Sequence, residues 1–312
     1  MTVSAFLFPG QGSQYPGMGK SLAQAYPEAR LIFEMADDYL GFSLSKLAWD
    51  GSEADLNDTI HTQPALLVHA VAALQVVQNR FPHLQPRFVA GHSLGELSAL
   101  VAAGSLAFPD ALRLVHRRGE LMKQAGAQTP GGMAAILGLD IPTLEEICAQ
   151  ASNPDGTVQI ANDNCPGQVV ISGEDAALNR ALEAARAAGA RRAVRLAVSI
   201  AAHSALMQPA QQAFSQAVAQ TPIQTPAIPV VGNVSAQPML TPEDIRADLQ
   251  AQLTSRVRWT ESMTWMVAQG VQAFYEIGSG TVLGGLLRRI TRQAAYVPLG
   301  DAEHFENLEA SA

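Results

Sequence analysis

The sequence predicts an α/β protein: a parallel sheet covered by helices, with a smaller α+β unit inserted into it. Three observations carry this reading. Short apolar runs at Val3–Phe8 and Phe88–Ala90 end in sharp glycine turns and lead into helical patterns, the alternation of a parallel sheet. Residues 128–198 read in the order β-α-β-β-α-β, a ferredoxin-like pattern. The composition over 312 residues, 48% hydrophobic, 15% charged and 6% aromatic, is that of a packed chain with helices lying close on a sheet, not of a disordered or repetitive one.

Taken in order, Val3–Phe8 is a buried strand closed by Pro9-Gly10, and helices follow over Lys20–Leu40 and Pro64–Arg80. Phe88–Ala90 is too short for a helix and ends at Gly91; Leu94–Ala103 has helical spacing and stops at Gly104. In the middle, strands are expected at Gly132–Gly138, Val158–Ala161, Gln168–Ser172 and Arg192–Val198, with helices at Pro142–Ala151 and Ala176–Ala188 and a turn over Asn162–Gly167. Strands return at Pro229–Val231 and Ala273–Ile277. The expected organisation is a large domain from residues 1–127 and 199–300, a small one at 128–198, and a loose acidic tail at 301–312.

The net charge of −8 argues against nucleic acid as a partner, because phosphate neutralisation needs a basic face. Cys148 and Cys165 alone make neither a disulfide framework nor a Cys-based zinc site, and no His/Asp/Glu cluster offers a metal ligand set. The N-terminus lacks the basic segment of a signal peptide. The longest apolar run, Ala65–Val77, is interrupted by His69 and Gln75 and is too short to span a bilayer. These features predict a cytoplasmic protein with no membrane partner.

Gly91-His92-Ser93-Leu94-Gly95 is a G-x-S-x-G motif between a strand and a helix. That context places a serine on a strained turn with its Oγ above the sheet, and it aims the Leu94 amide at a developing oxyanion. The bland alternative is a glycine-bounded turn with a solvent-facing serine. His92 is adjacent to Ser93, and neighbours on an extended chain point opposite ways, so it is expected to pack locally. His203, after the apolar stretch Val194–Ala202, reads either as a base at a strand end or as a satisfied structural histidine. The loop Phe8–Gln14 lets the Gln11 amide approach a ligand. As a nucleotide loop it fails, because Gln14 and Tyr15 stand where glycines are needed. Arg118 falls at the centre of the apolar stripe Ala111, Leu114, Val115, Leu121, Met122 and Ala125, with Arg113 and Arg117 outside it. Such an arginine either pairs with an internal carboxylate or awaits a substrate carboxylate.

In order and spacing, Gly10–Gln14, Gln63-Pro64-Ala65, Gly91–Glu96, Arg118-Gly119, Asn162-Asp163-Asn164, His203-Ser204 and Glu276-Ile277-Gly278 resemble the malonyl-CoA:acyl carrier protein transacylases. The resemblance covers residues 3 to about 290. It implies a hydrolase-like α/β fold with a ferredoxin-like insertion and no cofactor. Its partners are malonyl-CoA and an acyl carrier protein bearing phosphopantetheine. It further implies Ser93 as nucleophile, His203 as general base, and Gln11 and Leu94 as oxyanion-hole amides. Arg118 then binds the malonyl carboxylate, and Gln63, Asn162 and Ala202 line the substrate site. A backbone carbonyl in Val231–Val234, expected at Asn233, orients the histidine. Two positions depart from the family pattern: Ala202, where an aromatic often precedes the histidine, and Gly232-Asn233 before Val234. The arginines Arg191, Arg192, Arg288, Arg289 and Arg292 are candidates to meet the carrier protein. The rival readings are an acyl hydrolase or thioesterase with the same Ser-His pair, a trans-acting acyltransferase of polyketide synthesis, and a noncatalytic carrier-docking module.

Overall fold

The computed structural model describes residues 2–198 and 200–310. Every side chain of β1 (Ser4–Phe8) is buried, which its continuous apolar run requires of a central parallel strand. β1 lies between β2 (Phe88–Gly91) and β9 (Ala273–Ile277) in a six-stranded sheet. Its remaining strands are β7 (Val230–Val231), β8 (Pro238–Met239) and β10 (Ala295–Leu299), in the order β10-β9-β1-β2-β7-β8. All pairings are parallel except β7 with β8. A second sheet is antiparallel, with order β4-β5-β3-β6. It is formed by β3 (Gly131–Leu137), β4 (Val158–Cys165), β5 (Gln168–Glu174) and β6 (Arg192–Arg195). Helices α8 (Ile141–Ala151) and α9 (Asp175–Ala187) cover it around their own core of Ile136, Leu144, Ile171 and Leu178.

The large sheet is covered on one face by α1 (Lys20–Ala25), α2 (Pro27–Leu40), α3 (Leu44–Asp50), α4 (Glu53–Asn57), α5 (Thr59–Arg80), α6 (Gly95–Ala102) and α7 (Phe108–Gln128). After the insertion come α10 (Gln208–Gln220), α11 (Pro242–Gln252), α12 (Trp259–Ala268), α13 (Val282–Ile290) and α14 (Ala302–Ala310). Trp259, Met263, Phe274 and Leu287 make a separate core on the opposite face.

Several sequence expectations need correction. Lys20–Leu40 is two helices, because Pro27 starts a new one after the extended Tyr26. α5 begins at Thr59, capped by Asp58, and its 22 residues are long and apolar enough to cross a membrane. Its most apolar window is nonetheless 83% buried within the protein, so it is the core helix of the large layer. β4 runs through the expected turn to Cys165 by means of two register shifts. The tail is not loose: α14 is anchored by fully buried Phe305, which packs against Tyr26 and Phe81. Ser199, where the large domain was expected to resume, and residues 311–312 of the expected tail lie outside the described residues.

Candidate active site

The loops after β1 and β2 meet at the carboxyl ends of adjacent parallel strands, where open α/β sheets hold their ligands. Ser93 sits there with φ 51°, a left-handed conformation rare for a residue with a side chain. The flanking glycines make the turn possible. A Cβ on Gly91 would lie 1.9 Å from the Gly95 carbonyl carbon, and one on Gly95 would lie 2.1 Å from the Phe8 carbonyl oxygen. Gly10 approaches the His92 carbonyl just as closely, which presses the first loop onto the second. The backbone N–H groups of Gln11 and Leu94 find no acceptor among the described residues. They remain free to receive charge.

His203 also has positive φ, 58°. Its Nε2 lies 2.7 Å from Ser93 Oγ, and its Nδ1 faces the carbonyl oxygens of Gln252 at 2.9 Å and Ser255 at 3.2 Å. Two acceptors at Nδ1 require the proton there, so Nε2 presents its lone pair to the serine. Burial, aided by the Arg118 charge, lowers His203 to about 3, so the ring is neutral at pH 7. The expectation that Asn233 supplies the orienting carbonyl is therefore corrected: that carbonyl accepts from the Arg258 N–H. Asn233 uses its side chain instead. Oδ1 accepts from the Ser93 N–H at 2.7 Å and Nδ2 donates to the Gly91 carbonyl at 2.8 Å, stapling the turn.

Arg118 is 2% exposed. It donates to Gln63 Oε1 at 2.8 Å, Gln252 Oε1 at 3.0 Å and Ser93 Oγ at 3.0 Å, while its Nε is buried without a partner. No carboxylate pairs with it among the described residues, whereas Arg113 and Arg117 form surface pairs with Asp110 and Glu120. Burial lowers its pKa to about 10, against the opposing pull of Glu96, so it stays charged at neutral pH. Gln63 is fixed by Thr59 Oγ1, which also donates to Gln11 Oε1, so one chain of hydrogen bonds ties the first loop to the guanidinium.

His92 bonds Asn164 Oδ1 at 2.7 Å and meets the Trp259 ring edge-on, both partners being distant in sequence. Asn162 is buried on β4 with its backbone bridged to Val257, and its side chain makes no hydrogen bond to a described residue. Ala202 is half-buried beside His203. The sequence reading missed Gln252, Ser255, Gln159 and the roles of Glu96 and Asp248. No group of three or more His, Cys, Asp or Glu among the described residues is placed to hold a metal.

A family model for the acyl transferase domain matches residues 5–303. The chain is 44% identical over 306 residues to a malonyl CoA-acyl carrier protein transacylase of Bacillus subtilis, covering 98% of this chain and 96% of that one. It is 44% identical to the solved acyl-carrier-protein S-malonyltransferase of Bartonella henselae, with TM-score 0.94 and 99% of both chains covered. It is 41% identical, with TM-score 0.96 over the full length of both chains, to a malonyl-transacylase solved with a type II polyketide acyl carrier protein. With a serine and a histidine meeting from two strained turns, and with a family match and relatives that span nearly its whole length, this chain belongs to the acyl transferase family, of the malonyl-CoA:acyl carrier protein transacylase type.

Proposed function

We propose that the chain transfers malonyl from malonyl-CoA to the phosphopantetheine thiol of an acyl carrier protein, through a malonyl ester on Ser93. The observation that carries this is Arg118: a buried guanidinium with no carboxylate of its own and an unpartnered Nε, 3.0 Å from the serine oxygen. A fork so placed discriminates a diacid from a simple acyl group and holds it over the nucleophile.

His203 Nε2 takes the Ser93 proton as Oγ attacks the thioester carbonyl. The resulting oxyanion lies against the N–H groups of Gln11 and Leu94. Collapse expels the CoA sulfur, which takes the proton back from His203. The carrier thiol then gives its proton to His203 and attacks the ester carbon, and Ser93 leaves with that proton. Both half-reactions balance without a cofactor. Asn162 and Ala202 line the acyl pocket in this reading. Arg191, Arg192, Arg288, Arg289 and Arg292 are all exposed. Gly138 joins the Pro166–Gly167 turn to Arg191, and Arg289 bonds Gln168 and Pro166. Arginines thus gather two residues from Asn164, which touches the elbow, and offer an acidic carrier a face near the site. The reaction serves fatty-acid synthesis in the cytoplasm.

The test is a two-stage labelling. Radiolabelled malonyl-CoA alone should label the protein, and added carrier protein should remove that label to itself. Release as free malonate would make the chain a hydrolase, and absence of label would leave it a binding module.

A further inference from the structure

Beneath the elbow lie two buried acids. Glu96, in the first turn of α6, is fully buried, and Asp248 on α11 is 5% exposed. Both oxygens of Glu96 are occupied as acceptors. Oε1 receives the Asn233 N–H and Nδ2, each at 2.9 Å, and Oε2 receives Gln252 Nε2. Asp248 Oδ1 accepts from the Val234 and Ser235 N–H groups at 3.1 and 3.4 Å, while Oδ2 is buried with no conventional partner. The two acids accept consecutive backbone N–H groups of one turn, Glu96 that of Asn233 and Asp248 that of Val234, which sets the carboxyls side by side. Two carboxylates so close together inside a protein do not both ionise, and an orphaned buried oxygen is costly. A proton on Asp248 Oδ2, donated to Glu96, resolves both problems at once.

What Glu96 holds gives the pair its consequence. Asn233 fixes the Ser93 N–H. Gln252 accepts from Arg118 at Oε1, donates to the Ser93 carbonyl from Nε2 at 3.1 Å, and receives His203 Nδ1 at its backbone carbonyl. We propose that Glu96 and Asp248 share one proton, held on Asp248, and act as a positioning pair that sets Gln252 and Asn233 and through them Arg118, His203 and Ser93 together. Burial raises both Glu96 and Asp248 above the usual carboxyl range. Both directions agree with a trapped proton. The inference deepens the transfer reaction proposed above and rests on it for its kinetic consequences.

The pair predicts opposite results for two similar substitutions. Glu96→Gln must set an amide N–H against an N–H of Gln252 or Asn233, since both oxygens accept. It should lower kcat/KM for malonyl-CoA by about tenfold to a hundredfold. It should also shrink the preference for malonyl-CoA over acetyl-CoA, because Gln252 no longer orients Arg118. Asp248→Ala should fall similarly, whereas Asp248→Asn, which supplies an N–H where the O–H stood, should recover to within about threefold of wild type. Loss in Asp248→Asn equal to that in Asp248→Ala would overturn the shared proton. An unchanged malonyl-to-acetyl ratio in Glu96→Gln would overturn the positioning role, since a merely structural acid lowers Tm and both activities in parallel. A third measurement needs no variant activity and stands apart from the transfer reaction. With aspartate labelled at 13Cγ, one carboxyl should carry the protonated shift at neutral pH and vanish in Asp248→Asn; a wild-type spectrum with every aspartate ionised would sink the proposal.

Discussion

Ser93 and His203 face one another from two left-handed turns, and the turns are held in different ways. The serine turn is built largely locally: Gly91 and Gly95 admit the close backbone approaches, and the Asn233 and Gln252 side chains clasp it from afar. The histidine turn has no glycine beside it. It is held from outside by Gln159 on the small sheet, whose Nε2 donates to the His203 and Thr254 carbonyls at 3.1 and 3.2 Å and whose Oε1 accepts the Ala205 N–H. The carbonyls of Gln252 and Ser255 complete the hold. The nucleophile's turn is thus written mostly in five consecutive residues. That of the histidine is written across three segments far apart in sequence.

The largest break in this comparison is Ser93→Ala, which should abolish the covalent malonyl adduct in intact-mass spectra while the fold persists. Next, His203→Ala should slow acylation by about two to four orders of magnitude; a near-normal burst would remove the histidine from the reaction. Arg118→Ala follows, with a malonyl penalty of at least about 2 kcal/mol and little loss for acetyl-CoA. It also has a pH signature. His203 works only as the neutral ring, and its depressed pKa keeps it neutral down to about 3. Removing the Arg118 charge lifts one of the two chief lowering influences, so the acid limb of the rate profile should move to higher pH; an unmoved limb would contradict the coupling. Gln159→Leu should cost about tenfold in kcat, the scale of one buried hydrogen bond, while leaving the Ser93 turn intact, so that the adduct forms more slowly but to the same extent. The smallest effect is at Ala202. On the proposed reading, in which Ala202 lines the acyl pocket, Ala202→Phe should cut methylmalonyl transfer by about tenfold and spare malonyl, the worth of one methyl in a pocket. Competition between the two thioesters measures it.

The same contrast explains what was legible in the sequence. The elbow could be read because its constraint is local, and Arg118 could be read because one charge interrupts an apolar stripe. The histidine's orienting carbonyls could not. Backbone atoms carry no residue signature, so the assignment to Asn233 had only proximity in the family pattern behind it. Gln252 and Asp248 did leave a trace. They share the buried face of α11 with Ile245 and Leu249 at helical spacing, the signal that exposed Arg118, here in a milder polar form. The α14 anchor was obscured by its acidic neighbours, which outweigh Phe305 in composition while Phe305 alone decides burial. The β4 extension was missed because Asn162-Asp163-Asn164 reads as a turn, and its two register shifts are set by pairing with β5 and not by local preference.

The position of β1 also bears on how the molecule is made. It precedes every other strand named above, yet one of its two neighbours is β2 and the other is β9, which begins only at Ala273. The small sheet draws all its strands from one continuous stretch and can pair as soon as that stretch emerges. The large sheet cannot close until β9 has emerged, and until then β1 keeps an apolar edge open. A ribosome stalled before Ala273 therefore carries Ser93 and His203 but leaves the sheet that seats them unfinished.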